Sequence, residues 1–164
     1  MLEFKAVKSD EEIKNTAKLA KQIWNQHFIT IISQSQIDYM VEKFQSEKAM
    51  TKQISEGYTY YNFILDGEVI GYFGICPKED NTLFLSKLYL KKEYRGNGYA
   101  RRAFEFMKKL AEEKGYSMIW LTVNKHNDST IAVYKKFGME VIREEVTDIG
   151  NGYVMDDFVF GYKI

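Results

Sequence analysis

The chain has 164 residues, 45% of them apolar and 28% charged, which is enough for one domain with a proper core over residues 1–164. Lysine plus arginine and aspartate plus glutamate each number 23. That balance excludes a nucleic-acid binder acting through bulk basicity. No segment approaches the roughly 18 consecutive apolar residues of a membrane span, and the N-terminus MLEFKAVKSDEE has no apolar signal core. The expectation is a cytoplasmic protein with no membrane partner.

Residues 2–7 alternate and predict a first strand. Ser9-Asp10-Glu11-Glu12 has the capping-box pattern S-x-x-E and opens a helix with Ile13, Ala17, Ala20 and Trp24 on one face. Ser35 with Asp38 predicts the start of another, with Ile37, Met40, Val41 and Phe44 at helical spacing, and Gly57 ends the helical region. Residues 58–65 and 68–76 read as a hairpin about Asp66-Gly67, and Thr82–Leu90 as the next strand. Tyr99–Lys114 reads as a helix, with Ala103, Phe106, Met107, Leu110 and Ala111 apolar and Gly115 just past its end. Residues 116–123 predict a buried strand and 129–137 a short helix closed by Gly138. Residues 139–146 and 153–162 predict two strands around Gly150-Asn151-Gly152. Early helices, an antiparallel meander and then alternating elements predict an α+β fold with a mixed sheet. Cys76, the single cysteine, ends an apolar run and reads as a buried, inert thiol.

Two segments carry chemistry. The first is Arg95-Gly96-Asn97-Gly98-Tyr99-Ala100. Gly96 and Gly98 let the backbone approach a ligand and take positive φ. The helix that follows offers unpaired N–H groups and the positive end of its dipole, so this strand–turn–helix suits phosphate. Lys91, Lys92, Arg95, Arg101 and Arg102 make a local basic patch fit for a small polyanion. The spacing is neither G-x-x-x-x-G-K-[ST] nor G-x-G-x-x-G, and two such glycines alone more often mark an ordinary turn. The second segment is Asn127-Asp128-Ser129-Thr130-Ile131-Ala132-Val133-Tyr134-Lys135-Lys136-Phe137-Gly138-Met139.

The first segment matches R-x-x-G-x-A. The second is similar to N-x-x-A-I-x-x-Y-x-x-x-G-F, with Thr130 in place of alanine and Met139 in place of phenylalanine. On these motifs the chain resembles the GNAT superfamily of N-acetyltransferases, over about residues 69–160. The resemblance implies a GNAT-like mixed, mostly antiparallel sheet flanked by helices. It also implies acetyl-CoA as cosubstrate and transfer of its acetyl group to a primary amine. The pyrophosphate would be bound at Arg95, Gly96, Asn97, Gly98, Tyr99, Ala100 and Arg101. The backbone of Leu88, Tyr89 and Leu90 would pair with the pantetheine arm as an added strand does, one of its amides serving the oxyanion. Asn127 would bond the pantetheine arm or the pyrophosphate, beside the capping role that asparagine favours anyway. Tyr134 would be the general acid: a phenol with a reference pKa of about 10 is protonated at pH 7 and can donate to the leaving thiolate.

The general base is not marked. Family members often carry a glutamate on one of two strands that here read 83–90 and 118–123. Neither contains a carboxylate, and Thr122 stands where an acid might. Asp156 and Asp157 are the next candidates. Neighbours on a strand face opposite ways, so at most one faces a site, and Asp157 is preferred. His126 is an alternative proton carrier. Trp24, Tyr39, Tyr58, Tyr60 and Tyr61 lie on elements that wall the acceptor pocket in the family, with Trp24 the leading candidate, although most of them read as core. An aromatic pocket with a carboxylate suits an organic amine, and the late segment GNGYVMDDFVF resembles the spermidine/spermine branch. Acetylation of a protein amine and an acyl-CoA sensor without turnover are the competing readings. No metal or nucleic acid is implied, and a homodimer is left open.

Overall fold

A computed structural model describes residues 1–164. The elements run β1 (Leu2–Ala6), α1 (Asp10–His27), α2 (Gln34–Met40), α3 (Glu47–Ser55), β2 (Thr59–Leu65), β3 (Glu68–Pro77), β4 (Thr82–Leu90), α4 (Tyr99–Lys114), β5 (Met118–Asn124), α5 (Asp128–Lys136), β6 (Glu140–Gly150) and β7 (Tyr153–Lys163). The strands form one sheet in the order β1-β2-β3-β4-β5-β7-β6. The β1–β2, β2–β3, β5–β7 and β6–β7 pairs are antiparallel, and β4–β5 is parallel. This is the α+β fold with a mixed, mostly antiparallel sheet that the pattern predicts. A parallel pair needs a long crossover, and α4 supplies it. The contacts divide the chain into two compact units, Met1–Cys76 with Lys87–Ala103, and Pro77–Ser86 with Phe104–Ile164.

In the first unit the capping box forms as read. The Glu12 N–H donates to Ser9 Oγ at 3.1 Å, and the Ser9 N–H to Glu12 Oε1 at 2.9 Å. Three acids in the first turn meet the positive end of the α1 dipole. Ile13, Leu19, Ala20 and Ile23 line the buried face and pack with Met50, Tyr60 and Tyr72. The second helix begins two residues earlier than predicted. Ser33, in extended backbone (φ −68°, ψ 156°), accepts from the Gln36 N–H, so Ser35 falls within the first turn. The helical run also breaks. Residues Val41–Gln45 form a π-helical turn, and Ser46 caps a separate α3 through the Ala49 N–H. The β2–β3 hairpin turns on Asp66 (φ 49°) and Gly67 (φ 86°), as an Asp-Gly pair does in a two-residue loop.

The part of α4 in the second unit buries Phe104, Met107 and Ala111, and Phe104 stacks on Phe137 at 5.2 Å. The helix closes at Gly115 (φ 75°): the Tyr116 N–H reaches Ala111 O and the Gly115 N–H reaches Glu112 O, the Schellman arrangement. β6 is longer than predicted. Apolar alternation fades after Val146, yet pairing with β7 carries the strand on through Thr147↔Met155 and Asp148↔Val154 to Gly150, with irregularities at Val141/Arg143 and Asp148/Gly150.

Gly71 on β3 lets β4 come close. A Cβ there would overlap the Tyr89 carbonyl oxygen and lie 2.8 Å from Leu90 Cδ2 and 3.1 Å from Leu90 Cα. Two of these three atoms are backbone and cannot step aside. Gly71→Ala is expected to destabilise the protein by about 1–3 kcal/mol, seen as a lower urea midpoint with an unchanged slope. An unshifted midpoint would contradict this close approach.

Candidate active site

In the first unit, β4 ends in a 3-10 turn over Lys92–Tyr94, held to β3 by the Lys91 N–H donating to Ile70 O at 2.8 Å. Gly96 and Gly98 follow at φ 80° and 81°, with no atom within 4 Å of where a Cβ would sit. Backbone conformation, not crowding, therefore calls for glycine here. The Asn97 side-chain amide folds back to Tyr94 O at 3.2 Å. The first turn of α4 follows at once, with the Arg102 N–H donating to Gly98 O. Arg95, Arg101 and Arg102 are exposed. Arg95 also acts locally, since its Nε donates to Leu90 O at 3.2 Å and ties the turn to the end of β4.

Leu88 and Tyr89 are half-buried and Leu90 is buried. The ladder between β4 and β5 covers only Thr82↔Met118, Leu83↔Ile119 and Phe84↔Trp120. The Tyr89 ring packs against Trp24 (5.7 Å), Phe28 (6.2 Å) and Tyr72 (5.6 Å). Trp24 is 4% exposed and lies 4.2 Å from Phe28. It is thus a core ring, its indole N–H turned towards Tyr72 without an aligned hydrogen bond.

Sequence patterns did not single out Lys87. It is 6% exposed, and burial pushes its ammonium down to about 7. Its Nζ lies 2.8 Å from both Phe44 O and Gln53 Oε1 and also bonds the Tyr60 hydroxyl. The signal was present in the alternation Leu83, Leu85, Lys87, which puts a lysine on the apolar face of a strand.

In the second unit, Asn127 stands at the N-cap position of α5, but its side chain makes no capping bond. It is 4% exposed, and its carbonyl takes the Ile131 N–H at 3.0 Å. The capping role expected of asparagine is therefore not the one used. Tyr134 lies two helical turns further on, on the same side of α5. It is 6% exposed, against Phe137 and Phe160. Burial alone pushes its phenol above the ordinary tyrosine value, which keeps the proton in place.

The late acidic pair splits as strand alternation requires. Asp157 is 5% exposed, opposite Asn124 on β5 and Glu145 on β6. Desolvation pushes it up to about 6; Asp156 and Glu145 add to the rise and Lys125 opposes it. Asp156 is more open and sits 2.9 Å from Lys125 Nζ, an ion pair without hydrogen-bond alignment; Lys125 also meets Glu144 at 2.9 Å. His126 lies on the exposed loop before α5, its backbone N–H bonded to Asn124 Oδ1.

The profile of the Acetyltransferase (GNAT) family matches residues 21–139, a span that includes the glycine turn and all of α5. The crystal structure of PaiA N-acetyltransferase from Thermoplasma acidophilum in complex with coenzyme A matches with a TM-score of 0.83. The match covers 100% of this chain and 99% of that one at 22% identity. An uncharacterized N-acetyltransferase of Lactobacillus delbrueckii subsp. lactis is 24% identical over 151 residues, 87% of either chain. A Bacillus subtilis subsp. natto protein named probable spermine N(1)-acetyltransferase is 25% identical over 119 residues, 66% of this chain and 76% of its own. No helix is long and apolar enough to cross a membrane.

The raised Asp157 carboxyl has a consequence for stability. Its folded value of about 6 lies above the ordinary 3.8, so the folded state binds the extra proton between those two pH values. Burying the carboxylate therefore costs stability at neutral pH, and that cost fades as pH falls through 6 towards 4. Asp157→Asn should raise the melting temperature at pH 7.5 by at least about 2 °C, the gain disappearing near pH 4. A gain that is constant across this range would refute the assignment.

Proposed function

We propose an acceptor and a proton route for this chain, which belongs to the GNAT acetyltransferase family and is an acetyl-CoA-dependent N-acetyltransferase. The acceptor is the primary amine of a small, polyamine-like cation. Its neutral nitrogen attacks the thioester carbonyl directly; a C–N bond forms, the C–S bond breaks, and no acyl-enzyme intervenes. Tyr134 gives its proton to the departing thiolate. The observation carrying this reading is the buried Tyr134 phenol, kept protonated by its surroundings and displayed on α5 with Asn127.

The remaining roles follow from local chemistry. The amides of the Arg95–Arg101 segment and the positive end of α4 hold the pyrophosphate. Because the ladder to β5 stops at Phe84, the backbone edge of Leu88–Leu90 is left to pair with the pantetheine amides, and one of its N–H groups serves the oxyanion. Asn127 steadies the pantetheine arm. Asp157 takes the amine proton through water; a carboxylate titrating at about 6 is better matched to this role near neutral pH than an ordinary one. Support for a polyamine-like acceptor comes from the relative named for spermine and from the buried Asp157 carboxyl, which in its ionised form suits a cation. Trp24, being core, supports the pocket wall through Tyr89.

Thiol release from acetyl-CoA against polyamines, other small amines and peptides tests the acceptor. Polyamines should give the highest kcat/KM, and faster turnover of peptide N-termini or lysines would replace this reading with a protein acceptor. Tyr134→Phe removes only the donor, so kcat should drop about 10–100-fold while calorimetric acetyl-CoA affinity stays nearly level. An unaltered kcat across the pH profile would take Tyr134 out of the mechanism. Gly98→Asp adds strain at φ 81° and a negative charge beside the phosphates. A folded variant should lose acetyl-CoA affinity at least tenfold, about 1.4 kcal/mol; undiminished affinity would dismiss the phosphate site.

A further inference from the structure

Lys87 is a buried cation to which the proposed chemistry gives no role. β4 buries Leu83, Leu85 and Lys87 in alternation, so the lysine holds a core position. Its three ammonium protons meet three oxygens: Phe44 O at 2.8 Å, Gln53 Oε1 at 2.8 Å, and the Tyr60 hydroxyl, which in turn donates to Gln53 Oε1. An ammonium has a proton for each oxygen; a neutral amine has two and gives up one of the three bonds.

The partners come from three other elements. Phe44 belongs to the π-helical turn Val41–Gln45, Gln53 to α3 and Tyr60 to β2. Carbonyls at the C-terminal end of a helical turn lack helical donors and carry the negative end of its dipole, which a lysine can cap. One charge thus ties the π-turn, α3 and β2 to the residue immediately before Leu88. The titratable side chain in contact with it is the Tyr60 phenol, whose own neighbours are the phenols of Tyr58, Tyr72 and Tyr89. Burial holds the Tyr60 and Tyr72 protons in place, so neither adds a charge. Burial pulls Lys87 down to about 7, while its three oxygens pull towards the charged form.

We propose that charged Lys87 is a positioning residue for acetyl-CoA: its three bonds fix the depth and register of Leu88-Tyr89-Leu90, and losing its proton loosens the grip on the pantetheine arm. This rests on the proposed role of Leu88–Leu90 as the pantetheine-binding edge. A lysine that only supported the core would affect every ligand alike and at every pH.

The test is calorimetric titration of the full chain with acetyl-CoA from pH 6 to 8.5, for the wild type and Lys87→Met. The ratio of the two Kd values cancels the ionisation of the ligand's own phosphates. It should be about tenfold at pH 6 and fall towards one by pH 8.5. A ratio near one throughout, or equally raised at every pH, overturns the proposal. Adenosine 3′,5′-bisphosphate carries no pantetheine and should bind both proteins equally. If it loses affinity as acetyl-CoA does, Lys87 acts on every ligand alike as a core support, and the proposal is overturned. Tyr60→Phe keeps the lysine and removes one oxygen, so the ammonium is held less firmly and the wild-type weakening should begin at lower pH. An unmoved midpoint in Tyr60→Phe overturns the proposal even if Lys87→Met does not fold.

Discussion

A parallel pair of strands cannot be closed by a tight turn, and from the pairing of β4 with β5 the site follows. The chain must leave the carboxyl end of β4, cross over as α4 and return to start β5. A helix N-terminus therefore comes within a few residues of the end of a strand. Residues 88–101 then contain, without interruption, a strand edge, a turn with two positive-φ glycines and the first turn of a helix. Ligands of open α/β sheets gather at the carboxyl ends of strands for the same reason. Gly71 lets β3 lie close under this end of β4, and Arg95 ties the turn back to it.

Lys87 shows what such precision costs. Its folded pKa of about 7 lies well below the ordinary 10.5. Below pH 7 both folded and unfolded chains carry the charge, and the burial penalty is felt in full. Between 7 and 10.5 the unfolded chain holds a proton that the folded one lacks, so stability rises with pH there. An apolar residue at this core position would avoid the penalty, and replacing buried charges by apolar groups is often neutral or favourable. The protein instead places an ammonium where each of its protons has an oxygen, which makes the arrangement directional in a way that packed methyl groups are not.

What could be read from the sequence was what local chemistry dictates. The capping box at Ser9 and the Asp66-Gly67 turn depend on neighbours a few residues away, and both stand as read. Gly96 and Gly98 were legible because few other residues accept φ near 80°. Where two residues offered the same chemistry, sequence could not choose: Ser33 and Ser35 are equal caps on paper, and only backbone conformation selects Ser33. The π-turn at Val41–Gln45 was invisible, since a helix with one extra residue in a turn keeps nearly the same apolar stripe. The end of β6 was misplaced because its last pairs are held by backbone bonding to β7, with no apolar pattern to announce them. Lys87 was passed over because its partners lie 27, 34 and 43 residues away in sequence.

In the proposed mechanism the second unit carries the proton chemistry, and burial acts on Tyr134 and Asp157 in the same direction with opposite consequences. Desolvation disfavours charge, so it raises both Tyr134 and Asp157. For the phenol, already protonated at neutral pH, a further rise keeps the proton in place in the resting site. For the carboxyl, a rise to about 6 brings it from nearly inert as a base to poised just below neutrality. On the proposed roles, one physical cause serves both an acid on α5 and a base on β7, in the way that paired groups in other enzymes are separated by their surroundings. The ion pair of Asp156 with Lys125 completes the distinction: adjacent in sequence, one aspartate is half-buried and paired while the other is buried and tuned. The alternation of a strand alone, with no special sequence around the pair, is enough to produce that difference.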